Sequence, residues 1–267
     1  MKKVLTIAGS DSGSGAGIQA DLKAFAARGV YGASAITALT AQNTIGVQGI
    51  YEVDTEFVGL QIDSVMNDIK PNVWKSGMLA NAEIIEMVVR KALEYEIDKF
   101  VVDPVMVSRS GDSLLKDNAQ KTLIKRLIPL AFVITPNHFE AEVIVSRNIT
   151  NLEEAKEAAQ SIYNLGAKNV VVKGGHIPNI EDAIDIFYDG DSFHEISAPR
   201  ITTDNTHGTG CTYASAIAAE IAKGKKTLDA VKIAKQYLTK LLKNSINFKI
   251  GVGNGPLNHF LGWQLPL

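Results

Sequence analysis

The residues Thr206-His207-Gly208-Thr209-Gly210-Cys211 lead straight into the Ala-rich, helix-forming stretch from Thr212 to Ala219. Glycines and small hydroxyl residues at a helix start leave backbone N–H groups free, and such starts attract anions. Gly208 and Gly210 would let an anion approach the backbone closely. Cys211 is the only cysteine in the chain, and at this place the helix dipole would favour its thiolate. A glycine-lined anion hole with one nucleophile or base in it suggests phosphoryl transfer. The plain alternative is an ordinary helix start with a small buried cysteine, and this run alone does not separate the two.

Carboxylates recur at the ends of strand-like runs. Asp103-Pro104-Val105-Met106 follows Phe100 to Val102, and Asn137-His138-Phe139-Glu140 follows Ile134-Thr135-Pro136. Mg²⁺ prefers oxygen ligands and takes one or two protein carboxylates, leaving other positions to water and phosphate. Asp103 and Glu140 suit that role, directly or through water. Taken singly, each has an ordinary explanation, a turn Asp and a first-turn Glu favoured by the helix dipole. Lys173 ends the run Val170 to Val172, ahead of Gly174-Gly175-His176, where it could reach a phosphate or stand as a solvated strand-end charge.

The first loop, Gly9 to Gly17, holds four glycines and three serines in nine residues. It fails as a dinucleotide fingerprint, since Ile18 stands three beyond Gly15 and no acidic residue lies ~20 positions on to hold a ribose. The G-x-x-x-x-G-K-[ST] signature is absent as well. A ligand-binding loop is favoured over a plain strand-to-helix turn.

The elements that must position these residues alternate. Val4 to Ala8, Ser34 to Thr37, Val73 to Lys75, Phe100 to Val102, Phe132 to Ile134 and Val170 to Val172 read as strands. A helix is expected from about Ile18 to Arg28. Leu152, Ala155, Ala159, Ile162 and Leu165 hold helical spacing. Ala183 to Tyr188 and Ser192 to Ile196, joined by Asp189-Gly190-Asp191, read as a hairpin. Strands alternating with helices predict an α/β fold, a mainly parallel sheet covered on both faces, with its site at the carboxyl ends of the strands. No linker or repeat interrupts residues 1 to 267, so a single domain is expected.

Composition narrows the class. Of 267 residues, 46% are hydrophobic and 21% charged, as in globular proteins. A net charge of −2 offers no basic field to nucleic acid. One cysteine permits no intrachain disulfide and fits a reducing compartment. The apolar stretch after Met1 is too short for a secretory signal, and no segment approaches the ~20 apolar residues that span a bilayer. A cytoplasmic protein is expected.

Together these residues resemble the bifunctional hydroxymethylpyrimidine and phosphomethylpyrimidine kinases of thiamine synthesis, in the ribokinase-like superfamily. The matching pieces are Ala8 to Ser12, Gly15 to Lys23, Thr37 to Thr44, Lys75-Ser76-Gly77-Met78-Leu79, Asp103 to Met106, Thr135 to Ala141, Lys173 to His176, Gly208 to Cys211 and Gly255 to Phe260. They run in order from residue 4 to about residue 260; the residues after Phe260 match nothing. The resemblance implies a ribokinase-like fold, homodimers, and ATP- and Mg²⁺-dependent phosphorylation of 4-amino-5-hydroxymethyl-2-methylpyrimidine to its monophosphate and then its diphosphate. Asp103 and Glu140 would organise Mg²⁺. Lys173, Thr209 and Gly210 would lie at the ATP phosphates. Gly9, Asp21, Gln42, Met78 and Val105 would line the pyrimidine pocket. Cys211 would be the base in a hole formed with Gly208 and Gly210, where sugar kinases of the superfamily carry Asp. Ser14 departs from the family, which more often has Gly there, and a non-Gly residue restricts φ.

The chemistry of an aminopyrimidine suits this pocket. Its exocyclic amine donor sits beside a ring-nitrogen acceptor, and the Gln42 amide can pair with both, as Gln does with adenine. Met78 and Val105 would suit the ring face and its methyl group. Without the resemblance, Gln42 reads as a loop residue bonded to backbone. Two other functions share the architecture: a pyridoxal or pyridoxine kinase, differing only in the pocket, and a non-catalytic precursor-binding relative, which should have lost Asp103, Lys173 or the Gly208 to Cys211 run.

Overall fold

The structure, a computed structural model, describes residues 1–106, 115–175, 177 and 180–260. Its elements run β1 (Lys3–Asp11), α1 (Gly17–Ala27), β2 (Tyr31–Gln42), β3 (Val47–Glu52), α2 (Thr55–Asp68), β4 (Val73–Ser76), α3 (Ala82–Glu94), β5 (Lys99–Val102), α4 (Asp117–Thr122), β6 (Val133–Ile134), α5 (His138–Val145), α6 (Leu152–Asn164), β7 (Val170–Val172), β8 (Ala183–Tyr188), β9 (Phe193–Ala198), α7 (Thr209–Ala222) and α8 (Thr227–Ser245).

Among the described residues, nine strands form one sheet in the order β3-β2-β1-β4-β5-β6-β7-β8-β9. The six strands β2, β1, β4, β5, β6 and β7 are parallel, and β3, β8 and β9 are added antiparallel at the two edges. The expected mainly parallel sheet is present. The central strands are apolar at nearly every position because helices cover both faces. Leu5, Trp74, Phe100, Val102, Ile134, Val170 and Val172 pack toward α2, α3 and α6. Their alternating neighbours Val4, Val73, Val101, Val133 and Val171 pack toward α1, α7 and α8.

Three differences from the sequence expectations bear on the site. β1 extends to Asp11, so Gly9, Ser10 and Asp11 are strand and the loop proper is shorter. β2 spans twelve residues rather than the four from Ser34 to Thr37, which carries Gln42 to its end. β3 was not expected at all; every one of its residues is exposed, so it shows no apolar-in, polar-out alternation.

Candidate active site

The carboxyl ends of the parallel strands step across the sheet in register. Gly77 N–H donates to the Ile7 carbonyl, Asp103 to Ser76, Thr135 to Val102, and Lys173 to Pro136, at 2.8–3.1 Å. This staircase brings residues far apart in sequence to one rim. Lys173 Nζ lies 3.0 Å from Asp103 Oδ1, and Thr135 Oγ1 donates to the same oxygen at 3.1 Å. Asp103 is buried. Neither residue is therefore a solvated strand-end charge. Burial works against the Lys173 ammonium, but Asp103 and Glu140 outweigh it and hold its pKa above the usual lysine range.

Glu140 has two roles at once. It is the third residue of α5 and completes a capping box, donating its N–H to Asn137 Oδ1 at 2.9 Å while its carboxylate accepts from Asn137 N–H at 2.7 Å. It is also buried beside the Asp103–Lys173 pair. Burial, opposed by Lys173 and reinforced by Asp103, pushes its carboxyl up to about 8. Two buried carboxylates at one rim form an oxygen-only donor set that a small hard cation would suit, provided phosphate and water complete its shell. Among the described residues, no group of three or more His, Cys, Asp or Glu could hold a metal by itself.

The start of α7 faces this rim. Helices α2, α3, α5 and α6 each begin with a side-chain cap, from Asp54, Asn81, Asn137 and Asn151. The α7 cap is Gly208, which offers no side chain, and no acidic residue stands in the first turn. The first-turn amides thus lack the anionic or polar partner that α2, α3, α5 and α6 carry, a feature α7 shares with α1. Gly208 adopts φ +82°, and a Cβ there would lie 1.8 Å from the Gly15 carbonyl oxygen. The two glycine-rich segments cross at that point. A Cβ on Gly210 would meet Lys173 Nζ at 3.4 Å and Asp103 Oδ2 at 3.7 Å, so α7 opens directly onto the Asp103–Lys173 pair. Thr209 is the first residue of the helix.

Cys211 follows in the same turn, partly exposed. Burial, opposed by Lys75 and reinforced by Asp21 and Asp103, pushes its thiol up to about 11, although the Gly17 N–H points at the sulfur. This balance opposes the thiolate that the helix start favours. The helix start alone does not offset the partial burial of the sulfur beside two carboxylates.

The first loop also differs from expectation. Its amides are occupied by the chain's own carboxylate. Asp11 Oδ1 accepts from Gly13 N–H at 2.8 Å, and Oδ2 from Gly15 and Ala16 at 3.0 and 2.8 Å. Burial would raise the Asp11 pKa, but its bond to His207 and these amides hold it below the usual carboxylate range. Those N–H groups are committed to a side chain instead of a phosphate. Ser14 takes φ +65°, the left-handed conformation that Gly would hold without strain. Lys23 Nζ steadies it, bonded to the Ser14 carbonyl and hydroxyl at 2.7 and 3.0 Å.

The expected substrate residues separate into two groups. Gly9 and Met78 are neighbours, for a Cβ on Gly9 would lie 2.7 Å from Met78 Cε. Gln42 ends β2 with its amide held by side chains: Thr40 Oγ1 donates to Oε1 at 3.1 Å, and Nε2 lies 3.3 Å from His207 Nε2. Val105 is partly exposed beside Asp103, whose carbonyl accepts its N–H at 2.8 Å. Asp21 does not line the pocket. It is fully buried, and its oxygens are taken by Lys75, Thr6 and Ser215. His176 and the residues after Phe260 lie outside the described residues.

Several contributors carried no assigned role in the sequence. Lys75 is a fully buried lysine inside a central strand, and a charge at such a position demands a partner. That demand was a legible signal. His207 contacts Asp11 Oδ2 at 2.8 Å as well as Gln42. His259 ties the C-terminal segment to α7 through Thr212 Oγ1 at 2.9 Å. Its Nδ1 faces the Leu257 carbonyl at 3.1 Å, so Nε2 is the acceptor for the Thr212 hydroxyl. Burial, with Lys23 adding to it, lowers the His259 pKa to about 4 and keeps this link neutral.

Known proteins resemble this chain in sequence and fold. The family model described as phosphomethylpyrimidine kinase matches residues 11–258. The hydroxymethylpyrimidine/phosphomethylpyrimidine kinase of Bacillus subtilis is 47% identical over 97% of this chain and 94% of its own. The chloroplastic thiamine biosynthetic bifunctional enzyme of Arabidopsis thaliana is 49% identical over 97% of this chain, which spans only 50% of that longer protein. Among solved structures, the phosphomethylpyrimidine kinase of Clostridium difficile 630 shares 44% identity with a TM-score of 0.82, covering 90% of this chain and 99% of that one. A pyridoxal kinase of Staphylococcus aureus, in complex with AMP-PCP and pyridoxal, shares 35% identity with a TM-score of 0.89, covering 97% of this chain and 93% of that one. On sequence and fold, the chain belongs to the phosphomethylpyrimidine kinase family, with a ribokinase-like fold.

Proposed function

We propose that this chain, working as one kinase domain, transfers the γ-phosphoryl group of ATP to the hydroxymethyl group of an aminopyrimidine and then to the resulting monophosphate. The observation that carries this reading is the uncapped start of α7 opening onto the Asp103–Lys173 pair. Charge spreads over the oxygens of a transferring phosphoryl group, so fixed N–H donors and cations are the main catalytic devices. The Thr209 to Cys211 amides would face that charge, and the Lys173 ammonium would meet the phosphates. Asp103 and Glu140 would hold Mg²⁺, which would neutralise phosphate charge. The intact machinery disfavours a non-catalytic relative.

A second copy of the chain is the expected partner. Ile45, Ile50 and Tyr51 on and beside β3, with Phe57 and Leu60 of α2, leave an exposed apolar edge. Light scattering should report a dimer. Among the described residues, no helix is long and apolar enough to cross a membrane.

Gln42 would set substrate choice. Gln42→Leu keeps the volume but leaves the pyrimidine's amine and ring nitrogen without partners. Each unpaired buried polar group costs ~1–3 kcal/mol, so kcat/KM for the pyrimidine alcohol should fall roughly 10–100-fold or more. Turnover of pyridoxal should suffer less. Equal losses on both alcohols would remove Gln42 from specificity. For the native protein, a higher kcat/KM on pyridoxal than on the pyrimidine alcohol would favour the pyridoxal kinase reading.

A further inference from the structure

Two helices approach each other behind the anion hole with matched pairs of residues. On α1, Gly17 and Asp21 stand four apart and share a face; on α7, so do Cys211 and Ser215. Gly17 N–H points at the Cys211 sulfur, and one turn further on Ser215 Oγ donates to Asp21 Oδ1 at 2.7 Å. The side chain of Lys75 arrives from β4, between these helices and the sheet. Its Nζ lies 2.9 Å from both Asp21 oxygens. Thr6 Oγ1 completes the carboxylate at 2.6 Å. Space for the ammonium is kept by Gly77, where a Cβ would lie 3.1 Å from Nζ.

This cluster is fully buried and has no opening for substrate. A buried ion pair is rarely worth its desolvation as a stabilising device, since apolar residues of the same volume do as well. Its position one helical turn below Cys211 points to a different use. We propose that Lys75 is a positioning residue for Cys211, its buried ammonium, aimed by Asp21, supplying the positive charge that lets the sulfur exist as a thiolate in the working enzyme.

The inference rests on Cys211 acting as the base. In that step the substrate O–H bond breaks as its oxygen bonds to the γ-phosphorus. The proton goes to the Cys211 sulfur, and the electron pair of the broken P–O bond leaves with ADP. The sulfur must carry negative charge beforehand, and its surroundings oppose that. Burial disfavours the anion, and Asp21 of α1 and Asp103 at the end of β5 repel it. On the other side stand Gly17 N–H, the α7 start, Lys75 and, at the end of β7, Lys173. Lys173 is already paired with Asp103 and placed toward phosphates. Burial works against the Lys75 charge, but Asp21, with Cys211 and Asp103, holds its pKa above the usual lysine range, so it stays an ammonium at any working pH.

Because Cys211 is the only cysteine, its ionisation is readable without the kinase assay. The rate of alkylation by iodoacetamide, followed by mass across pH, reports the thiolate fraction. Lys75→Met should move the alkylation midpoint up by at least one pH unit, slowing alkylation about tenfold at fixed pH. The double substitution Asp21→Asn with Lys75→Met leaves no unpaired buried carboxylate and carries the test if the single variant does not fold. It should move the midpoint in the same direction by less, because the repelling charge goes too. A midpoint unchanged or lowered in a folded variant overturns the inference. If the midpoint rises as expected while phosphorylation of the alcohol keeps its native rate, the coupling stands and the reading of Cys211 as the base fails.

Discussion

Replacing Cys211 by Ala should slow phosphorylation of the pyrimidine alcohol by ~10²–10⁴-fold, the usual worth of a general base. Phosphorylation of the monophosphate should fall far less. The first acceptor is a neutral alcohol whose proton must leave as the new bond forms. The second is a phosphomonoester, largely ionised at neutral pH because its second pKa is ≈ 6. That nucleophile has little need of a base, and a thiolate would repel it. Cys211→Ser keeps the shape but loses basicity and should resemble Ala.

The raised thiol adds a pH signature. With its pKa at about 11, the thiolate fraction grows tenfold per pH unit below that value. The first step should therefore accelerate from pH 7 to 9 in the native enzyme, and this rise should vanish in Cys211→Ala. The second step should show no comparable rise. Separate assays from synthetic alcohol and synthetic monophosphate, at saturating Mg·ATP, measure all of this. Full alcohol phosphorylation by Cys211→Ala would leave the residue as packing or phosphate lining.

Gly208→Ala should also be strongly damaging, but without favouring either step. The residue holds φ +82°, and its added Cβ would lie 1.8 Å from the Gly15 carbonyl oxygen. Backbone on one side or the other must move, and the α7 amides move with it. Losing one well-aimed donor to a developing oxyanion costs ~10²–10³ in kcat, and here several shift together. Both phosphorylations should fall by that factor or more. Gly29→Ala is the control. Gly29 also has positive φ, at +73°, but nothing lies within 4 Å of its Cβ position. That variant bears left-handed strain of ~1–2 kcal/mol and should melt a few degrees lower with kcat unchanged. Equal kcat losses in the two variants would attribute the effect to general destabilisation.

The contrast between Gly208 and Asp11 shows what the sequence could reveal. Val170 to Val172 forms a strand over those same residues, because a short β-branched run buried on both faces has little alternative. The Gly208 to Cys211 run reads correctly as an open helix start, since the chemistry of an uncapped terminus is local. In the first loop the glycines look free for a ligand, yet three of its amides bond to Asp11. Asp11 stands just before Gly13, Gly15 and Ala16, and an Asp side chain folding back on following amides is local turn chemistry. That signal was present and was outweighed by glycine content.

Cys211 marks the limit of local reasoning. Its thiol is set by burial, opposed by Lys75 and reinforced by Asp21 and Asp103, groups far apart in sequence that only the sheet order brings together. The same holds for Asp21, whose place next to the glycine-rich loop suggests a pocket residue until Lys75 and Ser215 are seen to surround it. Strand β3 was illegible for another reason. An exposed edge strand carries no burial pattern to read.

The most direct test of this account follows the purified chain with Mg·ATP and the hydroxymethyl aminopyrimidine, products resolved by mass over time. The account predicts the alcohol giving way to a monophosphate, and the monophosphate to a diphosphate, with one ADP released per phosphoryl group. No phosphorylated pyrimidine with Mg·ATP in excess, or a monophosphate that never goes further, would contradict it.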